Sequence, residues 1–369
     1  MYRYKPKSRS ARPALKPHHL LFPLATLFAL ATVPFWIAFR LKHAASTAWH
    51  GHEMLFGFAL AVVAGFLSTR PVGIVVWLLV GTWLTARIAA AAGSGPLALL
   101  AGMTFPVTVF TVVVPPLVTG AKRWENRILP AILAALVAAD AAWWAGALGL
   151  GSQVQTGALL TAIDLIALLL LLIGGRSLRA AVGGHLERQG IARRDHTRRR
   201  YELLLAALVG GAVVFDAFAF GSAAGALCIG AALLTLVRVM SWQLHRTLSH
   251  PPLWTLALGY LWLPPGLAAK GIAQLGGTVA VTDMLHGLGV GALGTLTLAM
   301  MARTATLRAH KPITDFADIG IATLLVSAAA LNRLLAPYLP VAQHWLLWLA
   351  ATTWTGAFAI LLIRLWRTG

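Results

Sequence analysis

The stretch His50-Gly51-His52-Glu53-Met54 sets two imidazoles and a carboxyl at the start of an apolar run that ends at Arg70. A second run, from His286 to Arg303, repeats the plan: a histidine, a string of small residues, then an arginine. Neutral imidazole is the side chain that most often ligates haem iron, copper and zinc, and it also exchanges protons near neutral pH. The chemistry open to these residues is therefore ligation of a metal or haem. Glu53 and Asp283, in the first turns of the same two runs, suit two roles. They either fix an imidazole tautomer by accepting its N–H or interact favourably with a helix N-terminus.

Spacing limits how the two histidines of the first run can act together. Residues i and i+2 on a regular helix are about 200° apart, so His50 and His52 then face different neighbours. His50 continues through Met54, Gly57, Ala61, Ala64 and Ser68, a small-residue stripe; His52 continues through Phe56, Ala59, Val63 and Phe66, a bulkier one. If Trp49 to His52 is a loop or a frayed first turn, both rings could converge on one centre.

The elements that position these residues follow from composition. Of the 369 residues, 59% are hydrophobic and 11% are charged, against about a quarter charged in soluble domains. The apolar residues fall in runs of about twenty, the length that crosses a hydrocarbon core of ~30 Å as a helix. The chain reads as an all-α polytopic membrane protein with spans near 20–39, 48–69, 73–92, 97–119, 127–149, 156–174, 202–220, 222–240, 252–270, 281–302, 316–336 and 342–365. That makes twelve transmembrane helices in a single membrane domain over 1–369. A basic tail (1–19) precedes the first six helices (20–174), and a basic connector (175–201) leads to the last six (202–369).

The net charge of +19 invites a nucleic-acid reading, which the placement of the charges removes. With the flanks alternated across twelve spans, 25 of the 30 lysines and arginines fall on one side. Arg40, Lys42, Arg87, Lys270 and Arg333 fall on the other. Such an imbalance places both termini in the cytoplasm by the positive-inside rule, with the anionic inner leaflet as the partner of the charge. The first apolar run is long and lacks a small-residue cleavage site, so it reads as a retained anchor. The single cysteine, Cys228, lies within an apolar segment and reads as buried; one cysteine excludes an internal disulfide and a thiolate cluster.

Topology also sorts the twelve histidines. His18, His19, His185, His196, His245, His250 and His310 fall on the inner side, in basic tails and loops, and read as surface residues. His43, His50, His52, His286 and His344 fall outside, and three of them sit at the lipid boundary, where an ionisable group is costly enough to suggest function. His50, His52 and His286 start helices of the same direction at similar depth, the geometry for two axial imidazoles on one haem or for a shared metal. Arg87, at the outer end of the third span, is placed to neutralise Glu53 or to hold a haem propionate. Gly287, Gly289, Gly291 and Gly294 read as a close-packing face against a neighbouring helix or a flat cofactor.

The motif "WHGHEMLFGFALAVVAGFL" resembles the W-H-x-H-E-M signature of the NnrS family, twelve-helix, haem- and copper-containing bacterial membrane proteins tied to nitric oxide metabolism and tolerance. The likeness extends through "WLTARIA" (83–89), "DLIALLLLLIGGR" (164–176), "RVMSWQLHRTL", "PLWTLALGYLWLPPGL" and "MLHGLGVGALGTLTLAMMAR" (284–303). The resemblance implies His50, His52 and His286 as haem or metal ligands, a bacterial inner-membrane location and a role in nitrosative stress with nitric oxide or a related small molecule as ligand. The chain departs from the family pattern at Ala257 and Arg308, where histidines are expected, and the loss bears on copper rather than on haem.

Two other functions fit parts of the sequence. Twelve helices with Asp140, Asp164 and Asp216 inside them suit a small-solute or ion transporter. A haem-copper oxidase or nitric oxide reductase subunit would need an adjacent pair of histidines within a helix, and the adjacent pair here is His18–His19 in the tail. No defined catalytic motif is present.

Overall fold

Hydrocarbon offers a backbone no hydrogen-bond partner, so an apolar run must satisfy its own N–H and C=O groups as a helix. The computed structural model describes residues 15–40, 47–68, 73–93, 95–120, 123–192, 199–309, 311 and 316–368, and helices occupy all twelve predicted positions. They are α1 (Pro17–Arg40), α2 (Thr47–Leu67), α3 (Ile74–Ala92), α4 (Pro96–Gly120), α5 (Trp124–Leu150) and α6 (Ser152–Arg188). The second half comprises α7 (Arg199–Ala217), α8 (Gly221–Met240), α9 (251–274), α10 (Val281–Arg308), α11 (Ala317–Leu335) and α12 (Gln343–Thr368). No strand occurs among the described residues. His43, Arg70, His196 and His310 lie outside them.

Among the described residues, ten helices are long and apolar enough to cross a membrane. The chain is thus an all-α, multi-pass membrane protein. The two remaining helices fall short for visible reasons. The first turn of α7 carries Arg199, Arg200 and Glu202, and its last turn carries Asp216. In α9, the Leu-Pro-Pro-Gly sequence after Trp262 removes backbone donors and breaks the helix into pieces of 11 and 12 residues.

Two expectations are corrected. The predicted connector does not begin at 175: α6 continues to Arg188 and buries Leu178, Val182 and Leu186. Nothing at Gly174-Gly175 stops it. The stop comes at Gly190, where φ is +69° and the amides of Gly190 and Ile191 bond back to Glu187 and Leu186, as in a glycine C-terminal motif. The inner histidines are also not all on the surface, since His18 and His185 are both buried.

The most buried helices are α2, α6 and α10, and the others pack around them. All three contain a π-helical turn, at Glu53–Ala59, Leu170–Gly174 and Gly287–Gly294. A π turn shifts the hydrogen-bond register and loosens carbonyls, and such turns concentrate at functional sites. Side chains from neighbouring helices take up two of those carbonyls. Trp83 Nε1 donates to Gly57 O at 2.8 Å. Arg238 Nη1 and the Tyr260 hydroxyl donate to Leu171 O at 3.1 and 3.3 Å. Arg238 is itself held by both carboxylate oxygens of Glu202.

Candidate functional site

The glycines of α10 divide by what stands opposite them. A Cβ added at Gly287 would lie 2.9 Å from Gly266 Cα on α9, so the two backbones touch there. A Cβ at Gly291 would meet Trp262, and one at Gly294 would meet Trp354, both at 2.6 Å. These three glycines perform the close helix packing expected of small residues. Gly289 differs: a Cβ there meets nothing within 4 Å. It faces a cavity of about 400 Å³ between α1, α2, α6, α10, α11 and α12, within the ~300–1,000 Å³ range typical of small-ligand sites.

The cavity brings His50 of α2 and His286 of α10 together. Their ring centroids are 6.4 Å apart and their planes differ by 12°. His50 is braced by Trp36 of α1, stacked at 4.1 Å. The Nδ1 of His286 lies 3.1 Å from the carbonyl oxygen of Asp283. A carbonyl only accepts, so Nδ1 carries the proton and the Nε2 lone pair is left for a ligand. Asp283 therefore sets the tautomer through its main chain, while its carboxylate pairs with Arg333 at 2.7 Å. The rest of the wall is largely apolar, with Ile37, Leu55, Phe58, Leu159 and Val290 among its residues.

His52 points elsewhere, because Thr47–His52 is regular helix and the 200° rotation holds. Its Nδ1 is 3.0 Å from Glu53 Oε1 and its Nε2 is 2.7 Å from Asp140 Oδ1. Its ring stacks on Trp143 at 3.9 Å. Carboxylates only accept, so each nitrogen donates and neither offers a lone pair to a metal. Arg87 completes this group by hydrogen-bonding Glu53. It reaches there across Gly57, where a Cβ would stand 2.7 Å from its Nη1. Glu53 is thus bound to His52 and Arg87, and the cation in the cavity wall is Arg333 rather than Arg87.

The intramembrane aspartates are all held by cationic or donor side chains. Asp140 bonds His52, and Asp164 and Asp216 bond Lys270 of α9. Sequence reasoning missed Arg333, Lys270 and the link from His52 to Asp140. Arg333 and Lys270 are two of the five basic residues on the sparsely charged side, which was the available signal. The link to Asp140 spans 88 residues and has no local signal.

The residues of the cavity suit a flat metal-bearing group. The two imidazoles are nearly parallel, with ring centroids 6.4 Å apart. A metal-bearing group bound in the cavity would be held by His50 and His286. The space over Gly289 and the guanidinium of Arg333 add a flat face and an anion partner. For a separate multi-ligand metal such as copper the donors are wanting: no group of three or more His, Cys, Asp or Glu among the described residues is placed to hold one. Both positions where a histidine is expected are otherwise engaged. Ala257 is buried in the core, and Arg308 Nη2 lies 3.4 Å from Phe66 O.

No curated protein matches the chain. A family model described as "NnrS protein" matches residues 14–368. That span takes in every described helix, including the π-helical turns after both histidine motifs, and the chain belongs to the NnrS family.

Proposed function

We propose that the protein is a haem-binding membrane protein of the bacterial inner membrane that takes part in the response to nitric oxide and nitrosative stress. The observation that carries this reading is the pair of near-parallel imidazoles, His50 and His286, facing one largely apolar cavity. His286 presents its Nε2 lone pair because Asp283 O holds the opposite N–H, and Trp36 fixes the plane of His50. Arg333, tethered by Asp283, suits an anionic edge group such as a propionate. The largely apolar wall suits small neutral molecules such as nitric oxide. Bound haem would supply an iron able to ligate nitric oxide. Copper is not part of the proposal. The excess of basic residues on one side supports a position of the cavity at the outer face.

An optical spectrum of the purified protein, expressed with haem supply, tests the reading. The expected result is a Soret band that is lost in His50→Ala and His286→Ala and kept in His52→Gln. A colourless wild-type protein would sink the proposal, and a band lost only in His52→Gln would reassign the ligands.

A further inference from the structure

A second buried group lies between α6, α7, α8 and α9, apart from the cavity lining. Lys270 Nζ of α9 is 2.6 Å from both carboxylate oxygens of Asp164 of α6 and 2.5 Å from Oδ2 of Asp216 of α7. Gln274 Nε2, one turn further along α9, donates to Asp216 Oδ1 at 2.6 Å. Cys228 Sγ of α8 lies 3.7 Å from Nζ. These are the charged and titratable side chains that the four helices bring to the point. Lys270 and Asp164 are 0% exposed and Asp216 is 2% exposed.

Charge counting separates this group from the one around His52. There, two carboxylates face Arg87 and an imidazole that donates from both nitrogens, so the charges cancel. Here two carboxylates face one ammonium, which leaves one uncompensated negative charge inside a membrane bundle. A buried ion costs several kcal/mol even after relaxation. Asp216 is also in the last turn of α7, where the helix dipole disfavours an anion. Two carboxyls that converge on one nitrogen at 2.5–2.6 Å are near neighbours, and one proton between them removes the excess charge. A metal cation would have to sit beside the ammonium already held there.

We infer that Asp164 and Asp216 share one exchangeable proton over Lys270, forming a proton-binding site inside the membrane domain. The proton comes from water on the cavity side of the bundle. Gln274, partly exposed and bonded to Asp216, stands at that end: the loop after it leads to Ala280 and Thr282 of the cavity wall. The site is independent of whether the cavity holds haem.

Infrared spectroscopy of the full chain in lipid nanodiscs near neutral pH tests this without any cofactor. The expected spectrum has a C=O band of a buried carboxylic acid that shifts in D2O and disappears on alkaline titration. The band is lost in Asp164→Asn and in Asp216→Asn, since each leaves a neutral ammonium–carboxylate pair, and it persists in Asp216→Glu and in Asp140→Asn. A wild-type spectrum with no such band, or one that shows it only after sodium is removed, would overturn the inference without recourse to any variant. So would a band that survives both asparagine substitutions.

Discussion

His50 and His52 stand two residues apart on one helix and belong to different kinds of place. His50 faces a cavity, shares it with His286 and is held by an aromatic stack. His52 is locked between two carboxylates, one of them backed by Arg87, and does not line that cavity. The first region encloses open space, and the second fills its space with compensated charge. A single sequence motif is thus one cavity-facing position and one buried ion cluster. The two ought to respond to mutation in opposite ways, the cluster through stability and the cavity through occupancy.

The sharpest break should come from Arg87→Met, which strands the buried Glu53 carboxylate beside an apolar chain. Loss of one partner from a buried ion pair costs about 3–5 kcal/mol, and unfolding of the detergent-solubilised protein should show a fall of that size. A loss below about 1 kcal/mol would mean that water reaches the cluster. Gly287→Ala comes next, because its Cβ would sit 2.9 Å from Gly266 Cα. Overpacking of this kind costs about 1–3 kcal/mol, measured in the same unfolding experiment.

On the cavity side the effects on stability shrink. His50→Ala removes the stack on Trp36, worth about 0.5–1.5 kcal/mol, yet should abolish the Soret band. Gly289→Ala points into open space and should change stability least. Replacing a helical glycine gains up to about 1 kcal/mol, while haem occupancy, read from the ratio of Soret to protein absorbance, should fall. If Gly289→Ala destabilised the protein as much as Gly287→Ala, the contrast between open and packed faces of α10 would fail.

Much of this was legible in the sequence. The apolar runs marked all twelve helix positions, though not the extension of α6 to Arg188, and the i, i+2 rotation separates His50 from His52. The level of His286 with His50 followed from counting spans. The glycine string of α10 was recognised as a packing face, but not that Gly289 alone looks into a void. The π turns that follow His52 and His286 had no signature, since their residues are ordinary helix formers for a membrane.

The sequence by itself determined that this chain crosses the membrane many times, roughly where the helices lie, and which histidines stand at the starts of helices. These follow from the length of apolar runs and the cost of unpaired backbone in lipid. Only the tertiary structure decided which face of each helix looks inward. Lipid and bundle interior are about equally apolar, so hydrophobic periodicity carries little contrast between them. It alone paired Asp140 with His52 across 88 residues and Lys270 with Asp164 across 106. Such partners are brought together by helix packing, which leaves no trace in local spacing.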